Sequence, residues 1–328
     1  MAASSTPVPS GFVAVTDGAG SLQISQFTLD GALVRRLTTG PANHNYPSLS
    51  PDGTHLLFSG EEGGRSQVYR RLLKAGSPAT QLTREPGTAT SPSWSPDGRS
   101  IVYSALSPGA SVFQIVAAHA DGTDPTELTH TTDVGNTQPV FSPDGRRIAY
   151  ISGGRGSNRI WVMNADGSGQ RPLTEGPRDA YPQWLDGRTV FFARQDLARG
   201  TTMIMSAGLD GAVRDESPPA LHLIEPRPLP DGRSYGATIE EQSGLHLVRI
   251  SRADGGALTA GRAGDYIVER LHVPATDGSS STLAWIMSPP RAGSRSGVAV
   301  VLVLALGALG AAIVAGFGIA ALRKTNAC

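Results

Sequence analysis

The chain has 328 residues with 28 basic and 28 acidic side chains, a formal net charge of zero, so no broad electrostatic attraction to nucleic acid or to anionic lipid is built into it. Its single cysteine is the last residue, Cys328, which excludes an intramolecular disulfide and a cysteine-based metal site. Glycine (40) and proline (24) make up about a fifth of the chain, against a usual share of roughly an eighth, and imply many tight turns.

The opening MAASSTPVPSGFVAV lacks the basic start and the roughly 7–15-residue apolar run of a secretory signal peptide, and residues 1–10 read as a flexible N-terminus. Residues 12–39 hold three strand-like segments, FVAVTD, LQISQFTL and LVRRLTT. A repeat then takes over. YPSLSPDGTHLLFSG at Tyr46, SPSWSPDGRSIVYSA at Ser91 and TQPVFSPDGRRIAYISG at Thr137 are plainly related, and YPQWLDGRTVFFAR at Tyr181 and IEPRPLPDGRSYGATI at Ile224 are weaker copies. The turn aspartates Asp52, Asp97, Asp144, Asp186, Asp231 and Asp277 are spaced by 45, 47, 42, 45 and 46 residues. A second turn, at Gly31, Gly76, Gly122, Gly167, Gly211 and Gly255, recurs in step, most copies leading to a strand that ends in Leu-Thr, as at Leu37, Leu82, Leu128 and Leu173.

Asp-Gly between short apolar or alternating runs is a hairpin signal, because glycine supplies the positive φ of a tight two-residue turn. Two hairpins per repeat make four strands per repeat. In the copy at Thr137 these are QPVF, RRIAYIS, NRIWVMNA and QRPLT, here called strands a to d. Four antiparallel strands every 45 or so residues is the arithmetic of a β-propeller blade. The expected fold is an all-β, six-bladed propeller over residues 11–287. Its sixth blade joins the three N-terminal strands to a strand a supplied by YIVERLHVPATDG (Tyr266–Gly278), and STLAWIMS (Ser281–Ser288) is left to pair at the margin or to run toward a membrane. Aromatic residues at Phe58, Tyr103, Tyr150 and Phe192, six after each turn aspartate, are expected in the core between blades.

The repeat also decides a competing motif. GRSYG (Gly232–Gly236) fits the G-x-S-x-G pattern of serine hydrolases, but a nucleophile elbow needs a strand, a turn and then a helix. Ser234 instead falls in the column of His55, Ser100, Arg147 and Thr189, on strand b.

The W-S-P-D-G signature with its following I-A-Y strand, and IWVMNADGSG…LT at Ile160–Thr174, resemble the TolB-like propeller repeat, a WD-repeat-like family, over about residues 11–280. That resemblance implies a protein-binding propeller rather than an enzyme. VERLHVPATDGSSSTLAWIMSPPR (Val268–Arg291) is similar to the segment that leads from propeller to hydrolase domain in prolyl oligopeptidase-type peptidases; here a different sequence follows it.

After a proline- and serine-rich tether, residues 288–296, the 26 residues from Gly297 to Leu322 pass without a charge, longer than the roughly 20 that cross a bilayer as a helix. A single-pass C-terminal anchor is therefore expected, with the polar tail 323–328 beyond it. Small residues at Gly307, Ala311 and Ala315 suit weak helix–helix self-association. With no signal peptide recognised, tail-anchored insertion with a cytoplasmic propeller is slightly favoured over an extracytoplasmic one.

Seven histidines are scattered without a metal-ligand spacing, although His44 and His272 can both approach the channel. No metal or cofactor is expected, and the turn carboxylates are assigned to local hydrogen bonding. The expected binding surface is the channel mouth, reached by the loops from strand d to the next strand a: Asn43, His44, Asn45, Tyr46, Ser91, Asn136, Gln138, Asp179, Tyr181, Glu225, Arg227, Glu269 and Arg270. These mix aromatic, amide and charged groups that suit an extended peptide or a sugar. The function read from the sequence is a membrane-anchored, non-catalytic scaffold for a protein or peptide partner. The alternative is a channel-site enzyme on carbohydrate or peptide, or a propeller remnant of a prolyl oligopeptidase-type peptidase.

Overall fold

The computed structural model describes residues 11–17, 20–28, 32–74, 76–84, 86–154, 157–176, 178–196, 200–217, 223–228, 234–241, 244–252, 266–270 and 285–287. These residues form strands and connecting turns with no helix, and the strands make six four-stranded sheets. First come β1 (Gly11–Asp17), β2 (Leu22–Thr28) and β3 (Leu33–Arg36). Blade 1 is β4 (His44–Leu49), β5 (His55–Glu62), β6 (Arg65–Leu72) and β7 (Ala79–Gln81); blade 2 is β8 (Thr88–Trp94), β9 (Ser100–Leu106), β10 (Gln114–His119) and β11 (Thr126–Glu127). Blade 3 is β12 (Gly135–Phe141), β13 (Arg147–Gly154), β14 (Ser157–Asn164) and β15 (Arg171–Pro172); blade 4 is β16 (Asp179–Trp184), β17 (Thr189–Asp196), β18 (Thr201–Gly208) and β19 (Val213–Asp215). Blade 5 is β20 (Leu223–Pro228), β21 (Ser234–Glu241), β22 (Gly244–Arg252) and β23 (Tyr266–Arg270), and β24 (Trp285–Met287) completes the sixth sheet beside β1. The first strand of each complete blade packs on the blade before it: β4 on β1 and β2, β8 on β4 to β6, β12 on β8 to β10, β16 on β12 to β14, and β20 on β16 to β18. The result is a six-bladed propeller closed by strands from both ends of the sequence.

The closure differs from the sequence expectation in one respect. Tyr266–Arg270 is not strand a of the sixth blade but the outer strand of the fifth, paired from Arg252↔Tyr266 to Val248↔Arg270. The inner strand beside β1 is instead Trp285–Met287, in register Gly11↔Met287 to Val13↔Trp285. Both segments have strand-forming residues. Which edge each one takes is decided by where unpaired backbone N–H and C=O groups stand, and strand c of blade 5 offers such an edge first. His272, Asp277, Asp231, the turn at Gly255, the tether and Gly297–Leu322 lie outside the described residues. Among the described residues, no helix is long and apolar enough to cross a membrane.

Local chemistry explains why the repeat folds as it does. In Ser-Pro-Asp-Gly the Ser95 hydroxyl donates to Asp97 Oδ1 at 2.6 Å and accepts the Ser100 amide at 2.9 Å, while Asp97 also accepts the Arg99 amide at 3.0 Å. Ser142, Asp144, Arg146 and Arg147 repeat the arrangement. Hydrogen bonds from the Ser95 and Ser142 hydroxyls, with the amides of Arg99 and Arg146, hold both aspartates below the usual carboxylate range. The glycine alone takes the left-handed conformation, at φ of 69°, 70° and 70° for Gly53, Gly98 and Gly145. With Gly98 N–H bonded to the Ser95 carbonyl at 3.0 Å, the connection is a four-residue turn ending in a left-handed glycine rather than the two-residue turn expected from Asp-Gly.

The Leu-Thr pairs sit just past strand d, and each threonine hydroxyl accepts an amide from within strand c. Thr38 accepts from the Ile24 amide at 2.7 Å, Thr83 from Val68 at 2.8 Å, Thr129 from Ile115 at 2.9 Å and Thr174 from Ile160 at 3.0 Å. Trp94 and Trp184 each donate an indole N–H at 3.1 Å to a carbonyl of the preceding blade's inner strand, Ser48 and Val140. Phe58, Tyr103, Tyr150 and Phe192 are at most 2% exposed and fill the space between sheets as expected. In blade 5 that position is Ala237, and Tyr235 on the same face takes up the volume, its hydroxyl donating to the Glu216 carbonyl at 2.7 Å and its ring meeting Phe191 at 5.7 Å.

Ser234 opens β21 as a fully buried residue whose Oγ lies 3.3 Å from Arg249 Nε. β21 runs straight into its partner β22, so the geometry of a nucleophile elbow is absent at this serine. Neither the parent chain nor Ser234→Ala is expected to react with a fluorophosphonate probe, and the substitution should cost about 1 kcal/mol in a denaturant titration. Stoichiometric labelling of Ser234 would contradict its burial.

Candidate binding site at the central channel

The inner strands of the five complete blades share an unusual backbone. Tyr46, Ser91, Gln138, Tyr181 and Glu225 all take positive φ, between 49° and 57°, and none is glycine. Each is followed by proline (Pro47, Pro92, Pro139, Pro182, Pro226), and each lies at a register shift where the inner strand bulges away from strand b. Left-handed backbone costs a non-glycine residue about 1–2 kcal/mol, and such strain persists only where surrounding contacts over-determine it. Here the proline nitrogen cannot join the sheet ladder, which favours the bulge.

Three of the displaced amides, those of Ser91, Gln138 and Tyr181, are satisfied from the neighbouring blade. Ser91 N–H donates to Ser59 Oγ and Gln138 N–H to Ser104 Oγ, both at 3.1 Å. Blade 3 has Ile151 in the serine column, and there Gln138 reaches across so that its Oε1 accepts the Tyr181 amide at 3.2 Å. Five bulges of this kind, one in each of blades 1 to 5, wall a central cavity of about 80 Å³ lined by Tyr46, Ser91, Gln138, Tyr181, Glu225 and Arg227, by the four prolines from Pro47 to Pro182, and by Ser48, Ser93, Val140 and Gln183.

The electrostatics of this cavity centre on blade 5. Glu225 is 1% and Arg227 6% exposed. Burial lowers the pKa of the Arg227 guanidinium, opposed by the charge of Glu225, and the group remains a cation at neutral pH. Burial and the Glu225 charge push the Tyr46 phenol up to about 12, a hydrogen bond with Ser91 opposing, and raise Tyr181 well above its ordinary value. Both phenols are therefore neutral O–H donors at physiological pH.

Of the residues expected at the mouth, Tyr46, Ser91, Gln138, Tyr181, Glu225 and Arg227 are brought together around this cavity. Others of the set are engaged elsewhere. Asn43 accepts the Leu22 amide at 2.9 Å and donates to Glu61 at 3.1 Å, and His44 Nδ1 lies 3.1 Å from Gln23 Oε1 with its ring edge-on to Phe58. Burial lowers the His44 pKa, a backbone contact with Ala42 opposing. Asn45 is half-buried opposite Ser59. Asn136 is buried and donates to Thr131 Oγ1 at 2.6 Å and Gln114 Oε1 at 3.2 Å. Asp179 is fully buried and takes both oxygens to Arg194, at 2.7 and 2.8 Å. Glu269 and Arg270 stand on β23, the strand farthest from the inner edge of blade 5, a correction that follows from the swapped edge assignment described above.

The lining prolines and, two positions after the first four bulges, Ser48, Ser93, Val140 and Gln183 were not part of the expected site. Their signal was present: the prolines recur at spacings of 45, 47, 43 and 44 residues, in phase with the turns. Among the described residues, no group of three or more His, Cys, Asp and Glu side chains is placed to hold a metal ion.

Comparison with known proteins supports the propeller. Residues 72–220 match the family described as PD40, the TolB beta propeller domain, so the resemblance read from the repeat holds over that stretch. No curated protein matches the sequence. Among solved structures, TolB of Agrobacterium tumefaciens is similar with a TM-score of 0.59 at 22% identity, covering 80% of this chain and 88% of that one. TolB of Acinetobacter baumannii gives 0.61 at 19% identity, covering 74% and 61%. A chain of the nidogen/laminin complex gives 0.59 at 14% identity, covering 76% and 91%. At these identities the likeness concerns the fold.

Proposed function

We propose that this TolB-like propeller is a membrane-anchored, non-catalytic scaffold that captures a protein or peptide partner at the inner mouth of its ring. The observation that carries this reading is the set of five strained, proline-followed bulges around one cavity: backbone strain repeated at a single place on the molecule is a mark of a site. The half-buried tyrosines Tyr46 and Tyr181 offer broad rings with a polar tip, the kind of group that carries binding energy at protein interfaces. A related propeller is seen in a protein complex, that of nidogen with laminin. Attachment rests on the uncharged run from Gly297 to Leu322, long enough to cross a bilayer as a helix.

The test uses the full chain, recovered from washed membranes in detergent with its cross-linked partners. Replacing Tyr46 and Tyr181 together by asparagine removes both rings while keeping a residue type that tolerates left-handed backbone. The expected result is recovery of the parent chain in the membrane fraction with a discrete partner, and loss of at least tenfold in capture by the double variant, about 1.4 kcal/mol, with unchanged membrane attachment. Undiminished capture by a folded double variant would move the site away from the channel, and absence of the parent chain from washed membranes would remove the anchor.

A further inference from the structure

Arg227 is the exceptional residue of the cavity wall. Two residues after each bulge the other blades carry Ser48, Ser93, Val140 and Gln183, and the fifth blade carries a guanidinium. That group is 6% exposed, and its Nε and Nη1 are buried with no hydrogen-bond partner. A buried donor left unmade is unfavourable, the more so when it belongs to a cation. Native structures rarely leave one without an acceptor, which a bound water, an ion or a ligand group can supply.

The missing acceptor can be described from the site. Arginine is matched by carboxylate or phosphate oxygens. The cavity volume of about 80 Å³ has room for five to eight waters at roughly 10–15 Å³ each, enough to admit a short acidic side chain. Tyr46 and Tyr181, held neutral by burial and by the charge of Glu225, are further donors on the same wall. Glu225 acts on Arg227 through its charge and opposes a second anion, so the site selects for a carboxylate placed by an attached chain rather than for free anions in bulk.

We propose that the central cavity receives the carboxylate of an aspartate or glutamate side chain presented by an extended segment of the partner, and that Arg227 is the residue that holds it. This rests on the channel reading above and specifies the chemistry recognised there.

The experiment is saturation-transfer NMR on the full chain with three probes: N-acetyl-aspartate N-methylamide, its asparagine counterpart, and galacturonate. The aspartate probe is expected to saturate at millimolar concentration or below, with the asparagine probe at least tenfold weaker. Arg227→Gln should abolish that difference and Arg227→Lys should retain part of it. Because either substitution can disturb folding, the comparison of aspartate with asparagine on the unaltered chain decides by itself. Equal binding of the two, or saturation by neither, overturns the proposal, and tighter Arg227-dependent binding of galacturonate overturns the peptide assignment in favour of a sugar acid. If partner capture is lost in the Tyr46 and Tyr181 variant while aspartate and asparagine remain indistinguishable, the channel reading stands and the carboxylate inference alone has failed.

Discussion

Arg194→Met is expected to be among the most damaging single substitutions in the propeller, lowering unfolding free energy by about 3–5 kcal/mol and the melting temperature by roughly 10 °C. Arg194 reaches Asp179 with two hydrogen bonds of 2.7 and 2.8 Å. The side chain of Asp179 is fully buried, whereas that of Arg194 is 21% exposed. Removing the arginine therefore leaves a carboxylate in the interior without its counter-charge, and it also removes a cation from above the Phe192 ring, 5.3 Å away. Asp179→Asn should be milder, about 1–3 kcal/mol, because the arginine left behind still reaches water. Calorimetric scans of both variants check the order. A milder effect for Arg194→Met than for Asp179→Asn would mean that burial of the carboxylate does not dominate this pair. The same experiment separates structure from recognition, since Asp179 belongs by sequence position to the channel-mouth set, and capture of the partner should survive Asp179→Asn at a temperature where the variant is folded.

The second large effect is expected between Glu225 and Arg227. Arg227→Met alone should cost about 3 kcal/mol, because Glu225, 1% exposed, loses a positive charge that acts on it from the same buried wall. The double variant Glu225→Gln with Arg227→Met should recover most of that loss, since a neutral amide beside an apolar side chain carries no charge to desolvate. A double-mutant cycle then gives a coupling of about 2 kcal/mol or more, near the upper end of what contacting residues show. Coupling below about 0.5 kcal/mol, the range of independent sites, would mean that the two charges do not support each other. The restored double variant should remain defective in partner capture, because recovery of stability does not restore the guanidinium.

Much of the channel site was legible as a column in the repeat. Six of the expected residues, Tyr46, Ser91, Gln138, Tyr181, Glu225 and Arg227, do meet at one cavity, because a repeat whose turns stay in phase carries equivalent residues to equivalent places around the ring. Their roles were not legible. Asn43, His44, Asn136 and Asp179 occupy neighbouring positions, yet each spends polar atoms on a partner 15 to 22 residues away in sequence. Alternation and spacing do not identify such partners. Nor does a residue's identity announce left-handed backbone at a tyrosine or a glutamate; only the recurring proline after it carried that information.

The sequence by itself determined the elements whose causes are local. Asp97 and Ser95 build their turn from atoms within five residues of one another, Gly53, Gly98 and Gly145 supply the positive φ that the turn requires, and the aromatic column from Phe58 to Phe192 follows from strand alternation about a fixed turn. Tertiary structure alone decided how the ring closes. Tyr266–Arg270 and Trp285–Met287 are both competent strands, and their places beside β22 and β1 depend on which sheet edges the rest of the chain leaves unpaired. It also decided which buried charges are matched. Asp179 found Arg194 on the adjacent strand of its own blade, while two nitrogens of Arg227 were left facing no acceptor, because the position of a side chain's partners is a property of packing between strands and blades and not of the order of residues along one of them.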